Sequence, residues 1–190
     1  MAGGRGRRIG VALLVSGPVL VAAYALAGRT AVGRAAEAQA RGPRWEGGRI
    51  GPDGLTSLGV DAWRVVALTA LVVGVTALAY LAIGPLLGRG GRGRTFLLVL
   101  SGFLIVPYAL GCVVAFVNPP RLLGGLYQAA DFVAGLPGWQ PATAFLLPAA
   151  GLAQAAGLAL TARRRPPAAP PAPVRAEEAR PASQGPLTAP

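Results

Sequence analysis

The sequence predicts an all-α membrane protein: four transmembrane helices with proline kinks, followed by a disordered, proline-rich C-terminal tail. Of its 190 residues, 53% are hydrophobic and only 13% charged, where soluble domains carry roughly 25% charge. The charges gather in clusters separated by four long apolar stretches, the division expected of spans and loops. At a rise of about 1.5 Å per residue, each stretch is long enough for a hydrocarbon core of about 30 Å.

The chain opens with a basic arm, residues 1–8, that carries Arg5, Arg7 and Arg8. The first span covers about 9–27 and contains no charge. A secretory signal peptide would share these features, with Ala25-Leu26-Ala27 as the cleavage site. The apolar run is 19 residues long, however, whereas signal peptides use about 7 to 15, so a retained helix is expected. The Arg7-Arg8 pair lacks the rest of a twin-arginine export motif.

A first external loop, about 28–64, is expected to hold the main soluble mass. A helical stretch from Ala31 to Ala40 places Glu37 four residues before Arg41, the spacing of a weak helix pair. Turns follow at Gly42-Pro43, Gly47-Gly48 and Gly51-Pro52-Asp53-Gly54. Thr56 or Ser57 then caps a helix that runs through Asp61 and Trp63 into the membrane. Trp45 is expected to rest at the membrane interface.

The remaining spans cover about 65–87, 96–117 and 142–162, completing a membrane domain over 9–162. Each span holds one proline, namely Pro18, Pro85, Pro107 and Pro148, and each proline removes one backbone bond that a neighbouring helix can replace. In the fourth span, Ala149, Ala153 and Gly157 form a small-residue row suited to close packing, within the bundle or across a dimer. Gln154, the only carboxamide deep within a span, is expected to pair with a neighbouring helix. A second external loop, about 118–141, has Pro119 and Pro120 as a helix start and Gly135 with Pro137 as its end. Leu122, Leu126, Ala129 and Val133 recur there at helical spacing, which predicts one amphipathic helix lying flat on the outer membrane surface. The tail, 163–190, contains eight of the 18 prolines and cannot build a core.

Basic residues near span ends mark the cytoplasmic side. Three clusters fall on one side: the N-terminal arm, then Arg89, Arg92 and Arg94, and finally Arg163, Arg164 and Arg165. Both termini are therefore expected in the cytoplasm, in a multi-pass protein of the cell membrane. The last two clusters are expected to meet anionic lipid headgroups. A net charge of +11 does not imply nucleic-acid binding, because the arginines bracket apolar spans instead of lining one soluble face.

With no His and one Cys, the chain excludes an internal disulfide, a His-dependent triad and a Cys/His metal site. Residues 88–95 read GRGGRGRT, close to phosphate-binding glycine loops. Those motifs need a preceding strand, and a membrane helix precedes this one. The seven acids form no spaced pair for acid and base catalysis, and Cys112 reads as a small apolar residue within the third span. No catalytic residue, metal or cofactor is expected. The expected partners are membrane lipids, together with a membrane-protein partner or a second copy of the chain.

Arginine-only basicity, the excess of Ala, Gly, Val and Leu, the four spans, the Arg-Gly turn before span three and Pro137-Gly138-Trp139 before span four complete the pattern. In these features residues 9–165 resemble the uncharacterised small four-helix membrane proteins of high-GC actinobacteria. That resemblance implies no activity. The function expected is non-enzymatic, that of an envelope scaffold or accessory subunit that binds protein or lipid. The alternative is a small transporter or channel component built around the proline kinks and Gln154.

Overall fold

The computed structural model describes residues 2–45, 47–89 and 94–162. Among them run six α-helices and no strand: α1 (Ala2–Arg41), α2 (Ser57–Arg89), α3 (Arg94–Val117), α4 (Pro119–Leu126), α5 (Ala130–Gly135) and α6 (Leu146–Ala162), with a 3-10 turn at Gln140–Phe145 before the last. Four stretches are long and apolar enough to cross a membrane: Arg8–Arg41, Ser57–Leu86, Thr95–Val117 and Gln140–Thr161. The expected tail, with Arg163, Arg164 and Arg165, lies outside the described residues, as does Arg92. Residues 90–93 of the glycine-rich stretch lie there too, between the end of α2 and the start of α3.

The long helices alternate in direction. Close approaches of Gly28 to Val66 and of Gly84 to Leu14 make α1 and α2 antiparallel. Likewise Gly10 faces Thr161 while Gly17 faces Gln154, so α6 runs against α1. The start of α1 and the end of α6 thus share one end of the bundle, the terminal end. The opposite, distal end carries α4, α5 and the loop between α1 and α2.

The buried side of α1 recurs in steps of four and three: Gly10, Leu14, Gly17, Val21, Tyr24, Gly28, Ala31 and Ala35. On α2 the same rhythm gives Ala62, Val66, Thr69, Val73, Thr76, Tyr80 and Ile83, and on α6 it gives Leu147, Ala150, Gln154 and Gly157. This 3.5-residue repeat is the seam of left-handed helix packing. Leu14, Val21 and Tyr24 belong to the core, so cleavage after Ala27 would remove one wall of the bundle.

At 40 residues, α1 is about 60 Å long, well beyond a hydrocarbon core of about 30 Å. The helical stretch expected over Ala31 to Ala40 is an unbroken continuation of the first span. It is held by a second, distal core in which Val32, Ala35 and Ala36 pack with Leu55, Leu58, Ala62 and Phe132. Thr56 caps α2, its Oγ accepting the Gly59 N–H at 3.2 Å and donating to Gln39 Oε1 at 2.7 Å, which ties the second helix to the first. Trp45 is half-buried, its ring over Gly48.

The single surface helix expected between Pro119 and Gly135 is instead two helices. Gln128 adopts φ 51°, a left-handed conformation that ends α4 and lets α5 turn away. The turn drives Phe132 fully into the distal core. Gly135 meanwhile sits so close to Ala35 that a Cβ there would lie 3.0 Å from its Cα. The expected apolar face is therefore divided: Leu122 and Leu126 stay exposed, while Val133 is half-buried and Ala129 packs on the distal core.

Candidate functional site

Helix α6 makes its most extensive contacts with α1. Within that contact a Cβ on Gly157 would lie 2.9 Å from the Gly10 carbonyl oxygen and 3.1 Å from the Leu14 nitrogen, so only glycine admits this approach. Of the small-residue row expected to pack, Gly157 is buried here, Ala153 is half-buried and Ala149 is exposed. The row that actually packs within the chain is Leu147, Ala150, Gln154 and Gly157, one residue further round at its start. Ala149 faces outward, where lipid or a second chain would meet it.

Gln154 is 1% exposed and bridges two helices. Its amide nitrogen donates to the Ala77 carbonyl of α2 at 2.8 Å and, more weakly at 3.5 Å, to the Leu14 carbonyl of α1. Leu14 lies four residues before Pro18, so its carbonyl is the one that the proline leaves without a helical donor. The side chain lies over Gly17, where any Cβ would overlap the carboxamide. Pro18, Gly17 and Gln154 thus form one unit: the proline frees a carbonyl, the glycine makes room, and the glutamine fills both needs.

The other side of Gln154 faces a cavity of about 490 Å³ between α2, α3 and α6. Its polar lining consists of Tyr80, Ser101, Tyr108 and Gln154, set among Ile105, Ala155 and Leu158. The Tyr80 hydroxyl donates to the Ser101 carbonyl at 2.7 Å, pinning α3 to α2. Two polar atoms of this lining are buried with no hydrogen-bond partner among the described residues, the Tyr108 hydroxyl and Gln154 Oε1. Leaving such atoms unpaired in an apolar setting costs about 1 to 3 kcal/mol each. The cavity therefore presents an acceptor at Gln154 and a hydroxyl that both donates and accepts at Tyr108.

The cavity exists because α3 is tied to α6 and the 3-10 turn before it at its distal half only. There Phe116 meets Phe145 edge to face, with ring centroids 5.3 Å apart, and Asn118 exchanges two amide hydrogen bonds with Gln140 at 2.8 and 2.9 Å. Midway, the Tyr108 ring rests on Gly151. Beyond it, toward the terminal end, Ile105 and Ala155 line the gap and are themselves exposed, so the cavity opens sideways.

Each polar residue here is visible in the sequence, but their meeting is not, since Tyr80, Tyr108 and Gln154 lie on three helices. Thr69 and Thr76 bond back to the Val65 and Val72 carbonyls of their own helix, and Cys112 is half-buried in α3 against the core. Arg89 and Arg94 stand at the facing ends of α2 and α3, at the terminal end. Among the described residues no group of three or more His, Cys, Asp or Glu side chains is placed to hold a metal. Comparison with protein-family models, curated proteins and solved structures returns no match.

Proposed function

We propose that the protein is a non-enzymatic, multi-pass component of the cell membrane, an envelope scaffold or accessory subunit that acts by binding protein or lipid, with both termini in the cytoplasm. The observation that carries this reading is the sideways-opening cavity beside Gln154 and Tyr108. Its volume of about 490 Å³ falls in the range of ligand sites, about 300 to 1,000 Å³. Its lining is apolar with neutral polar groups, which suits a neutral partner that offers a hydrogen-bond donor to Gln154 and engages the Tyr108 hydroxyl. The described acids Glu37, Asp53, Asp61 and Asp131 all lie in the distal loops and helix extensions, remote from this cavity. Arg89 and Arg94, with the clusters at the two chain ends, support the orientation.

A photo-crosslinking residue at Ala155, in the cavity mouth, is expected to capture one recurrent protein or lipid in host membranes. The same probe at Leu68, an exposed position on α2, is expected to give only diffuse lipid labelling. Identical labelling at both positions would refute binding at the cavity. The second reading, a transporter or channel component, is favoured by the same inward-facing Gln154. Solute flux through proteoliposomes that contain this chain alone would establish it over the first.

A further inference from the structure

On another face of the bundle a second hollow of about 450 Å³ runs along the surface between α1 and α2. It is dug by small residues: Ala22 and Ala25 on one side, Ala67, Ala70 and Gly74 on the other, with Trp63 at its distal end. From Trp63 to Leu78, the lining residue furthest along α2, is fifteen residues, about 22 Å at 1.5 Å each. One leaflet of hydrocarbon is about 15 Å deep, half of the roughly 30 Å core. A groove of this length has room for an extended alkyl chain and is lined by nothing that would repel it.

Arg29 stands above its distal end. Pro18, Ala22 and Ala25, all lining residues of α1, precede it by eleven, seven and four positions and so share its helix face. Its guanidinium carbon lies 5.4 Å from the centre of the Trp63 ring, which fixes its position over the groove by cation–π attraction. The first span's apolar run ends at Ala27, two residues earlier, placing Arg29 and Trp63 at headgroup depth. Half-buried there, the guanidinium has one nitrogen, Nη1, fully buried without a hydrogen-bond partner. Among the described residues the ion pairs are Arg41 with Glu37 and Arg64 with Asp61; Arg29 has none.

We propose that this groove binds an anionic phospholipid, its phosphate on the Arg29 guanidinium and one acyl chain along Ala25, Ala67 and Gly74. Two independent features specify the ligand. The apolar groove selects an alkyl chain, and the unpaired, permanently charged guanidinium at its headgroup end selects an anion, for which phosphate is the oxygen-rich match. The site is separate from the cavity beside Gln154 and holds for either orientation of the protein.

The test is native mass spectrometry of the full chain, released from detergent after exchange with phosphatidylglycerol or phosphatidylcholine of identical chains. The wild type is expected to retain one phosphatidylglycerol and to prefer it about tenfold over phosphatidylcholine, the value of one charge-assisted contact. Arg29→Gln should abolish that preference, while Arg64→Gln, an exposed arginine paired with Asp61, should preserve it. Ala67→Leu, which fills the groove and leaves the charge, should reduce retention of both lipids. Equal retention of the two lipids by the wild type would overturn the proposal, as would an unchanged preference in Arg29→Gln. Displacement of the lipid by glycerophosphate without chains would show a free-anion site and overturn it as well.

Discussion

Helix α6 meets α1 and α3 in opposite ways. Against α1 the residues are matched where they cross, glycine on glycine at Gly157 and Gly10 and a glycine making room for the Gln154 side chain at Gly17, and the seam closes to backbone contact. Against α3 the small residues of α6 are met by larger ones: Tyr108 rests on Gly151, and beyond it the space between Ile105 and Ala155 stays open as the cavity. Without a hydrophobic drive between helices in lipid, close approach depends on matched small residues and on interhelical hydrogen bonds. The α1 seam has both, whereas α3 is fastened at its distal end and at Tyr80 and left apart elsewhere. Rigidity and access are thus built on two faces of one helix.

The largest effect should come from the distal core that aligns α1, α2 and α5. Phe132 is completely buried there, and Phe132→Ala should cost about 3 to 5 kcal/mol, read as a lower unfolding midpoint in detergent. A midpoint unchanged by that truncation would show that the distal contacts do not set the bundle. Next, Gly17→Ala inserts a methyl where the Gln154 carboxamide lies and should cost about 1 to 3 kcal/mol. In a Gln154→Ala background the same change should cost much less, because the side chain it collides with is gone; an equal cost would deny their contact. Gln154→Leu alone should cost about 0.6 to 1.7 kcal/mol, the range of interhelical hydrogen bonds in membranes. The smallest effect belongs to Ala149→Leu, which should leave monomer stability unchanged. A change in oligomer size with that variant would show that a second chain covers this face.

The four spans are legible in the sequence because hydropathy and length are local properties. So are the helix starts at Thr56 and Pro119, which depend on one side chain and one ring. The packing register is a relation between helices, and residue size within α6 alone points to Ala149, Ala153 and Gly157 instead of the buried Leu147, Ala150, Gln154 and Gly157. The missing signal was the matching spacing of Gly10, Leu14 and Gly17 in the first span. Similarly, the apolar spacing from Leu122 to Val133 suggests one helix, because nothing in it announces that Gln128 takes a left-handed conformation. The tie between Gln154 and Pro18 was legible in part, as a freed carbonyl and a lone carboxamide. Their meeting across 140 residues arises only from the fold.

The contrast between the two faces of α6 is tested most directly by placing the same side chain on each and comparing unfolding midpoints in one detergent. Ala155→Leu extends into the cavity and should leave the midpoint unchanged or raise it. Gly157→Leu, two residues further on, must displace the α1 backbone and should lower it steeply, by overpacking worth about 1 to 3 kcal/mol. Equal losses at the two positions, or a greater loss at Ala155, would contradict an open α3 face beside a closed α1 seam.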